Sequence, residues 1–129
     1  MADNILVERR PDGTAAIILI GRLDAENAGL VEQALDAVMD KRPWRVILDL
    51  GRLNYIASAG IRIILKLRQL QLASNGKLFM LEMQPQVKRV FELMQLLRVQ
   101  EMFDSEADLD AYLDSVQQPD GPLDSNGRG

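Results

Sequence analysis

The sequence predicts an α/β fold, a mixed sheet of about four to five strands with about four helices packed on it. Three observations predict it. Arg45-Val-Ile-Leu-Asp-Leu50 is a continuous apolar run with β-branched members, the pattern of a strand covered on both faces. From Ser58, apolar residues recur at helical spacing for about four turns. Strand-like and helix-like segments then keep alternating, after two strands in succession at the start, so crossovers between parallel strands should be right-handed.

The elements follow in order. Asn4 to Arg9 alternates (Ile5, Val7) and reads as an edge strand. Pro11-Asp-Gly13 is a turn tripeptide, because proline presets φ and Asp and Gly accept the remaining dihedrals. Ala15 to Ile20 is a strong strand, paired with the first as a hairpin and ended by Gly21-Arg-Leu-Asp24. Asp24 is placed to cap a helix over Ala25 to Lys41, whose face is Ala28, Val31, Leu35 and Val38. Lys41 and Arg42 suit its negative end, and Pro43 stops it.

The central strand, Arg45 to Leu50, leads through a short connection to the helix from Ser58. Ile61, Ile64, Leu65 and Leu72 are expected on the sheet side of that helix. Ile63, Leu67 and Leu70 point elsewhere, onto a neighbouring helix or into a docking patch flanked by Arg62, Lys66 and Arg68. Asn75-Gly76 supplies a left-handed C-terminal cap. Lys77 to Leu81 is a further strand. Pro85 starts a helix with a Val87, Val90, Phe91, Met94, Leu97 stripe. Val99 to Phe103 suggests a short last strand. Ser105 caps an acidic helix through Val116, with Leu109, Tyr112, Leu113 and Val116 inward. Residues 1–118 form the domain; from Pro119 to Gly129 the Pro, Gly, Asp, Ser and Asn content predicts a disordered tail.

Composition narrows the function. The 129 residues include no cysteine and no histidine, which excludes disulfides, thiolate metal sites and the Ser/His/Asp triad. Neither phosphate-cradling loop motif is present, so no nucleotide cofactor is expected, and Ser58 has no obvious partner base for a hydrolase. A net charge of −4 argues against nucleic acid as the main ligand. No apolar run reaches the roughly 20 residues that span a bilayer, and Met-Ala-Asp-Asn-Ile is not a signal peptide; membrane insertion is not expected, and the cytoplasm is the expected location.

Few residues are candidates for chemistry. Asp24 and Asp49 either serve as a cap and a turn residue or converge at the strand ends, where such sheets bind ligands. The acidic run Asp104, Glu106, Asp108, Asp110, Asp114 lacks the glycine and terminal glutamate of a calcium loop, and suits a helix N-terminus. Ser58 has two readings. It is a plain N-cap, or it is an addressable hydroxyl that small neighbours (Ala57, Ala59, Gly60) leave approachable. A phosphate there would sit at the positive end of a helix. Arg62, one turn on, is either a solvated arginine or a partner for that phosphate.

The chain resembles the STAS domain of bacterial anti-sigma factor antagonists and of the cytoplasmic ends of sulfate transporters. The resemblance spans about Ile5 to Val116. Gly21-Arg-Leu-Asp24 matches the family's G-x-L-D, and Val46-Ile-Leu-Asp-Leu50 its strand ending in Asp. Ile56-Ala-Ser-Ala-Gly60 matches a hydrophobic residue followed by Asp, Ser, a small hydroxyl residue and Gly. Pro85-Gln-Val-Lys-Arg-Val-Phe91 matches P-x-V-x-R/K-x-F/L. The chain departs at Ala57 and Ala59, where the family carries aspartate and the hydroxyl residue.

The resemblance implies a binding module and not an enzyme, a partner-switching regulator that binds an anti-sigma factor, itself often a serine kinase. That kinase phosphorylates the serine matching Ser58 and ends the interaction; a serine phosphatase restores it. The implied partner-binding residues are Asp24, Tyr55, Ile56, Ala57, Ser58, Ala59, Gly60, Arg62 and Ile63. The alternative it implies is a stand-alone STAS subunit of a transporter or sensory assembly, docked without phosphorylation. A homodimer is compatible with either.

Overall fold

The computed structural model describes residues 4–97 and 105–117. The described elements are β1 (Ile5–Arg9), β2 (Thr14–Leu23), α1 (Ala28–Asp40), β3 (Arg45–Ile56), α2 (Ser58–Ala73), β4 (Lys77–Leu81), α3 (Pro85–Leu97) and α4 (Glu106–Gln117). The strand expected at 99–103 and the tail from Pro119 lie outside the described residues, as do the side chains of Met94, Leu97 and Leu109. The four strands form one mixed sheet in the order β1-β2-β3-β4. The β1–β2 hairpin is antiparallel and the other two pairings are parallel. Its turn is held by the Thr14 amide donating to Asp12 Oδ1 at 2.9 Å.

The sheet is covered more on one face than the other. Val46, Leu48 and Leu50 are fully buried, with Ile17 and Leu19 of β2. The alternate residues Arg45, Ile47 and Asp49 are only half-buried, and Phe79 and Leu81, in register with Ile47 and Asp49 on β4, are exposed. The expectation of two covered faces therefore fails, and β3 alternates as a half-buried strand does.

Both central strands run further than expected, β2 to Leu23 and β3 to Ile56. Two register shifts make this possible. Ile18 pairs with Asp49 but Ile20 with Arg52, and Gly21 pairs with Leu53 but Arg22 with Tyr55. Each shift adds one residue to β3, as β-bulges do. Gly21 has φ +80°, where a side chain would be strained. The pairing with β4 stops at Asp49. Beyond it, glutamine carboxamides bond the backbone of β3: Gln84 Nε2 donates to the Gly51 carbonyl (3.0 Å) and Gln86 Nε2 to that of Asn54 (3.1 Å).

Helix α2 buries Ile61, Ile63, Ile64 and Leu67. Ile63 and Leu67 line a seam with Leu35 and Met39 of α1, closed outside by Lys66, which bridges Glu32 (2.8 Å) and Asp36 (3.4 Å). Leu65 and Leu72, expected on the sheet side, are exposed. The buried stripe runs instead through Ile61, Ile64 and Leu67 to Gln71, which is fully buried and donates to the Pro43 (2.9 Å) and Lys77 (3.1 Å) carbonyls. The cap at Asn75-Gly76 is as expected. Asn75 has φ 61°, and the Gly76 amide donates to the Gln71 carbonyl at 2.9 Å, a Schellman closure. In α3, Val87 and Val90 are fully buried and Phe91 half-buried. Ser105 Oγ accepts from the Asp108 amide at 3.1 Å, so it caps α4 as expected.

Candidate functional site

The site forms where β3 passes into α2. The Ala57 amide donates to the Leu23 carbonyl at 2.9 Å, continuing the parallel ladder one residue past Ile56. Ala57 is extended (φ −102°, ψ 176°) and is itself the N-cap; Ser58 is the first helical residue. The amides of Gly60 (2.9 Å) and Ile61 (3.0 Å) donate to the Ala57 carbonyl. Gly60 allows the close approach. A Cβ there would lie 2.6 Å from Leu23 Cγ and 2.9 Å from both Ile56 Cγ1 and the Leu23 carbonyl oxygen.

Helix α4 closes over this junction. Asp110 Oδ1 accepts from the Ser58 amide at 2.9 Å. Gln117 Oε1 accepts from the Ile56 amide (2.7 Å), and Gln117 Nε2 donates to the Ile56 carbonyl (2.6 Å). Leu113 of α4 is fully buried. Ser58 is therefore only 7% exposed, and its Oγ is enclosed with no hydrogen-bond partner among the described residues. Two expectations are corrected. Ser58 is not the cap, because the serine lies one residue inside the helix and a carboxylate from α4 takes its amide. Its hydroxyl is not left approachable by its small neighbours: it is enclosed, beside the amide that Asp110 of α4 bonds.

The structure brings most of the expected residues together at different depths. Ala59 is half-buried and Arg62 exposed, one turn beyond Ser58. Tyr55, Ile56, Ala57 and Gly60 are buried beneath. Ile63 is separate from them, in the α1 seam. Asp24 does not cap α1, which begins only at Ala28. It heads a turn instead: Asp24 Oδ1 accepts from the Glu26 amide (3.1 Å), and the Asp24 amide donates to Asn27 Oδ1 (3.0 Å). Arg22 lies 3.8 Å from the centroid of the Tyr55 ring, a cation–π contact, and also reaches Asp24 at 3.5 Å. Burial first, and then the Asp114 carboxylate, push the Tyr55 phenol above its ordinary range, with Arg22 opposing.

Asp24 and Asp49 do not converge. Asp49 sits opposite Ile18, six residues before Asp24, so roughly 20 Å of chain, at about 3.3 Å per residue, separates their levels. Asp49 Oδ1 accepts from the Gly51 amide (2.9 Å), a turn role. The carboxylate at Ser58, Asp110, bonds the amide and not the hydroxyl. Asp110, Gln117 and Arg22 also belong to this junction, and no sequence motif singles them out. Asp110 stood in an acidic run that suits a helix start, and Gln117 carried no motif.

A family model described as the STAS domain matches residues 6–109. The chain belongs to the STAS family. The match to the STAS domain ends one residue before Asp110, inside α4. The chain is 42% identical over 92 residues, covering 68% of it and 76% of the relative, to a Bordetella bronchiseptica protein named as an anti-sigma factor antagonist, BtrV. Its fold is that of the Bacillus cell fate determinant SpoIIAA in its phosphorylated form, with a TM-score of 0.61 at 22% identity, over 71% of this chain and 84% of that one. An anti-sigma factor antagonist from Mycobacterium paratuberculosis gives a TM-score of 0.60 at 24% identity, over 88% and 93%. Among the described residues, no helix of this STAS domain is long and apolar enough to cross a membrane.

Proposed function

We propose that this STAS domain is a cytoplasmic anti-sigma factor antagonist. It binds an anti-sigma factor around the N-terminus of α2, and reversible phosphorylation at Ser58 controls the binding. The observation that carries the reading is the placement of Ser58 as the first residue of α2, at the family's serine position. The 42% identity to a protein named as an antagonist supports it. The partner surface comprises Asp24, Ala59 and Arg62 outside, with Tyr55, Ile56, Ala57, Ser58 and Gly60 shaping it from below, while Ile63 acts at a distance by fixing α2 against α1.

The chemistry belongs to the partners. An anti-sigma factor acting as a serine kinase transfers the γ-phosphoryl group of ATP to Ser58 Oγ, the hydroxyl proton leaves to a base in the kinase, and ADP departs. The phosphate adds roughly −1.5 to −2 charge units to the docking surface and repels the partner. A serine phosphatase returns the hydroxyl with release of phosphate. Incubation with the cognate kinase and ATP should add one phosphate, absent in Ser58→Ala; no incorporation into the wild-type chain would sink the phosphoswitch.

A second reading has its own support. Ala57 in place of the family aspartate and the enclosed Ser58 hydroxyl favour a subunit that docks without phosphorylation, in a transporter or sensory assembly. Co-purification from the native host separates the two: a kinase-type anti-sigma factor supports the first, and a transporter ATPase the second.

A further inference from the structure

We propose that α4 is a latch over Ser58. Docked, it keeps the hydroxyl from any kinase, and a phosphate on Ser58 is incompatible with the docked position. The inference rests on Ser58 being the modified residue and concerns how that residue is reached.

Phosphoryl transfer needs the acceptor oxygen in line with the γ-phosphorus, in contact with a second protein's active site. Ser58 Oγ meets neither condition in the closed molecule, since it is enclosed and the residue is 7% exposed. The cover is held on both sides of Ala57. Asp110 bonds the Ser58 amide, and Gln117 bonds both backbone groups of Ile56. Both anchors belong to the 106–117 helix, so one movement of α4 uncovers the hydroxyl.

The attachment suits a detachable element. Among the described side chains of α4, Leu113 is the one fully buried hydrophobic residue, while Tyr112 and Val116 are half-buried. Its anchors are side-chain hydrogen bonds, part-buried at Asp110 and buried at Gln117, and an element so held opens at lower cost than the hydrogen-bonded ladders of the core. The β2–β3 ladder under it pairs through Leu23 and Ile56 without it, so opening α4 gives up only the outer backbone groups of Ile56 and the Ser58 amide to water.

Charge makes the coupling reciprocal. Asp108, Asp110 and Asp114 lie on α4, with Asp110 already on the amide next to the Ser58 hydroxyl. A dianionic phosphate on Ser58 would occupy the same helix N-terminus and face that carboxylate at close range. Like charges so placed repel, so the modified serine holds α4 off. Phosphorylation then changes the shape of the docking surface as well as its charge.

The cysteine-free chain offers a test that needs no kinase. Ser58→Cys provides one thiol at the site, and Ellman's reagent reports its exposure. In the otherwise wild-type chain the thiol should react at least roughly tenfold more slowly than a free cysteine, through opening of α4. Adding Gln117→Ala or Asp110→Ala should raise the rate roughly tenfold. Leu35→Ala, which loosens the α1 side, serves as a control for general destabilisation. Rapid labelling in the Ser58→Cys chain, or rates that follow thermal stability alike in all three double variants, would overturn the latch and leave Ser58 phosphorylation standing. Accelerated labelling in the α4 variants, with no phosphate taken up from the kinase, would uphold the latch and sink the phosphorylation reading alone.

Discussion

Gln117 brackets Ile56: its carboxamide oxygen accepts from the Ile56 amide at 2.7 Å and its nitrogen donates to the Ile56 carbonyl at 2.6 Å. A side chain sixty-one residues away thus does for the last residue of β3 what a neighbouring strand would do. Both atom pairs are buried, so losing the glutamine leaves two backbone groups without partners.

Gln117→Ala should therefore destabilise the fold by about 2–4 kcal/mol, the cost of orphaning a buried donor and a buried acceptor. Denaturant unfolding gives the magnitude. Hydrogen exchange at the Ile56 amide should accelerate; an unchanged amide would show that the bracket is not formed in solution.

At Gly60, alanine would place its methyl 2.6 Å from Leu23 Cγ and 2.9 Å from the Leu23 carbonyl oxygen. Leu23 can turn, but the carbonyl belongs to the ladder and cannot. Gly60→Ala should cost about 1–3 kcal/mol, seen as a lower urea midpoint. A midpoint equal to wild type would mean that α2 starts further from the sheet.

Ser58→Ala removes an enclosed hydroxyl that has no hydrogen-bond partner among the described residues, so stability should stay within about 1 kcal/mol of wild type, on the stable side. Ser58→Asp sets a carboxylate against Asp110. It should lower the melting temperature and weaken anti-sigma factor binding at least about tenfold, by calorimetric titration. Equal affinity would argue against control at this serine.

Tyr55 links stability to alkaline pH. Its folded phenol titrates above the ordinary range, chiefly through burial and then through Asp114. The folded state thus prefers the neutral phenol. The associated stability is complete below about pH 10 and is lost as pH rises through the raised value, because the unfolded chain ionises first. Tyr55→Phe should lose less stability between neutral and strongly alkaline pH; parallel pH profiles would refute the linkage.

The parts legible in the sequence were those set by local pattern. The hairpin at Pro11-Asp-Gly13, the cap at Asn75-Gly76 and the burial of Val31, Leu35 and Val38 follow from turn chemistry and periodicity. The extension of β3 past Leu50 was hidden because Arg52 and Asn54 are exposed and Gly51 resembles a strand end. Parallel pairing with β2 and two bulges override that local signal. The burial of Ser58 was illegible for another reason: its cover arrives fifty-two residues later, through an aspartate in an acidic run with a sufficient local explanation. Gln71, a buried amide in an apolar stripe, is explained only by the Pro43 and Lys77 carbonyls it meets.

The overhang of β3 beyond β4 also bears on solubility. A strand that outruns its neighbour offers bare backbone to any other chain, which is how sheets begin to stack into aggregates. Here Gln84, Gln86 and Gln117 occupy Gly51, Asn54 and Ile56 with carboxamides that bond like a strand but propagate no ladder. Each satisfies the backbone and ends the pattern at once. Replacing Gln84 and Gln86 by leucine would turn that part of the rim into a template, and the protein should then cloud on concentration while its monomer still folds.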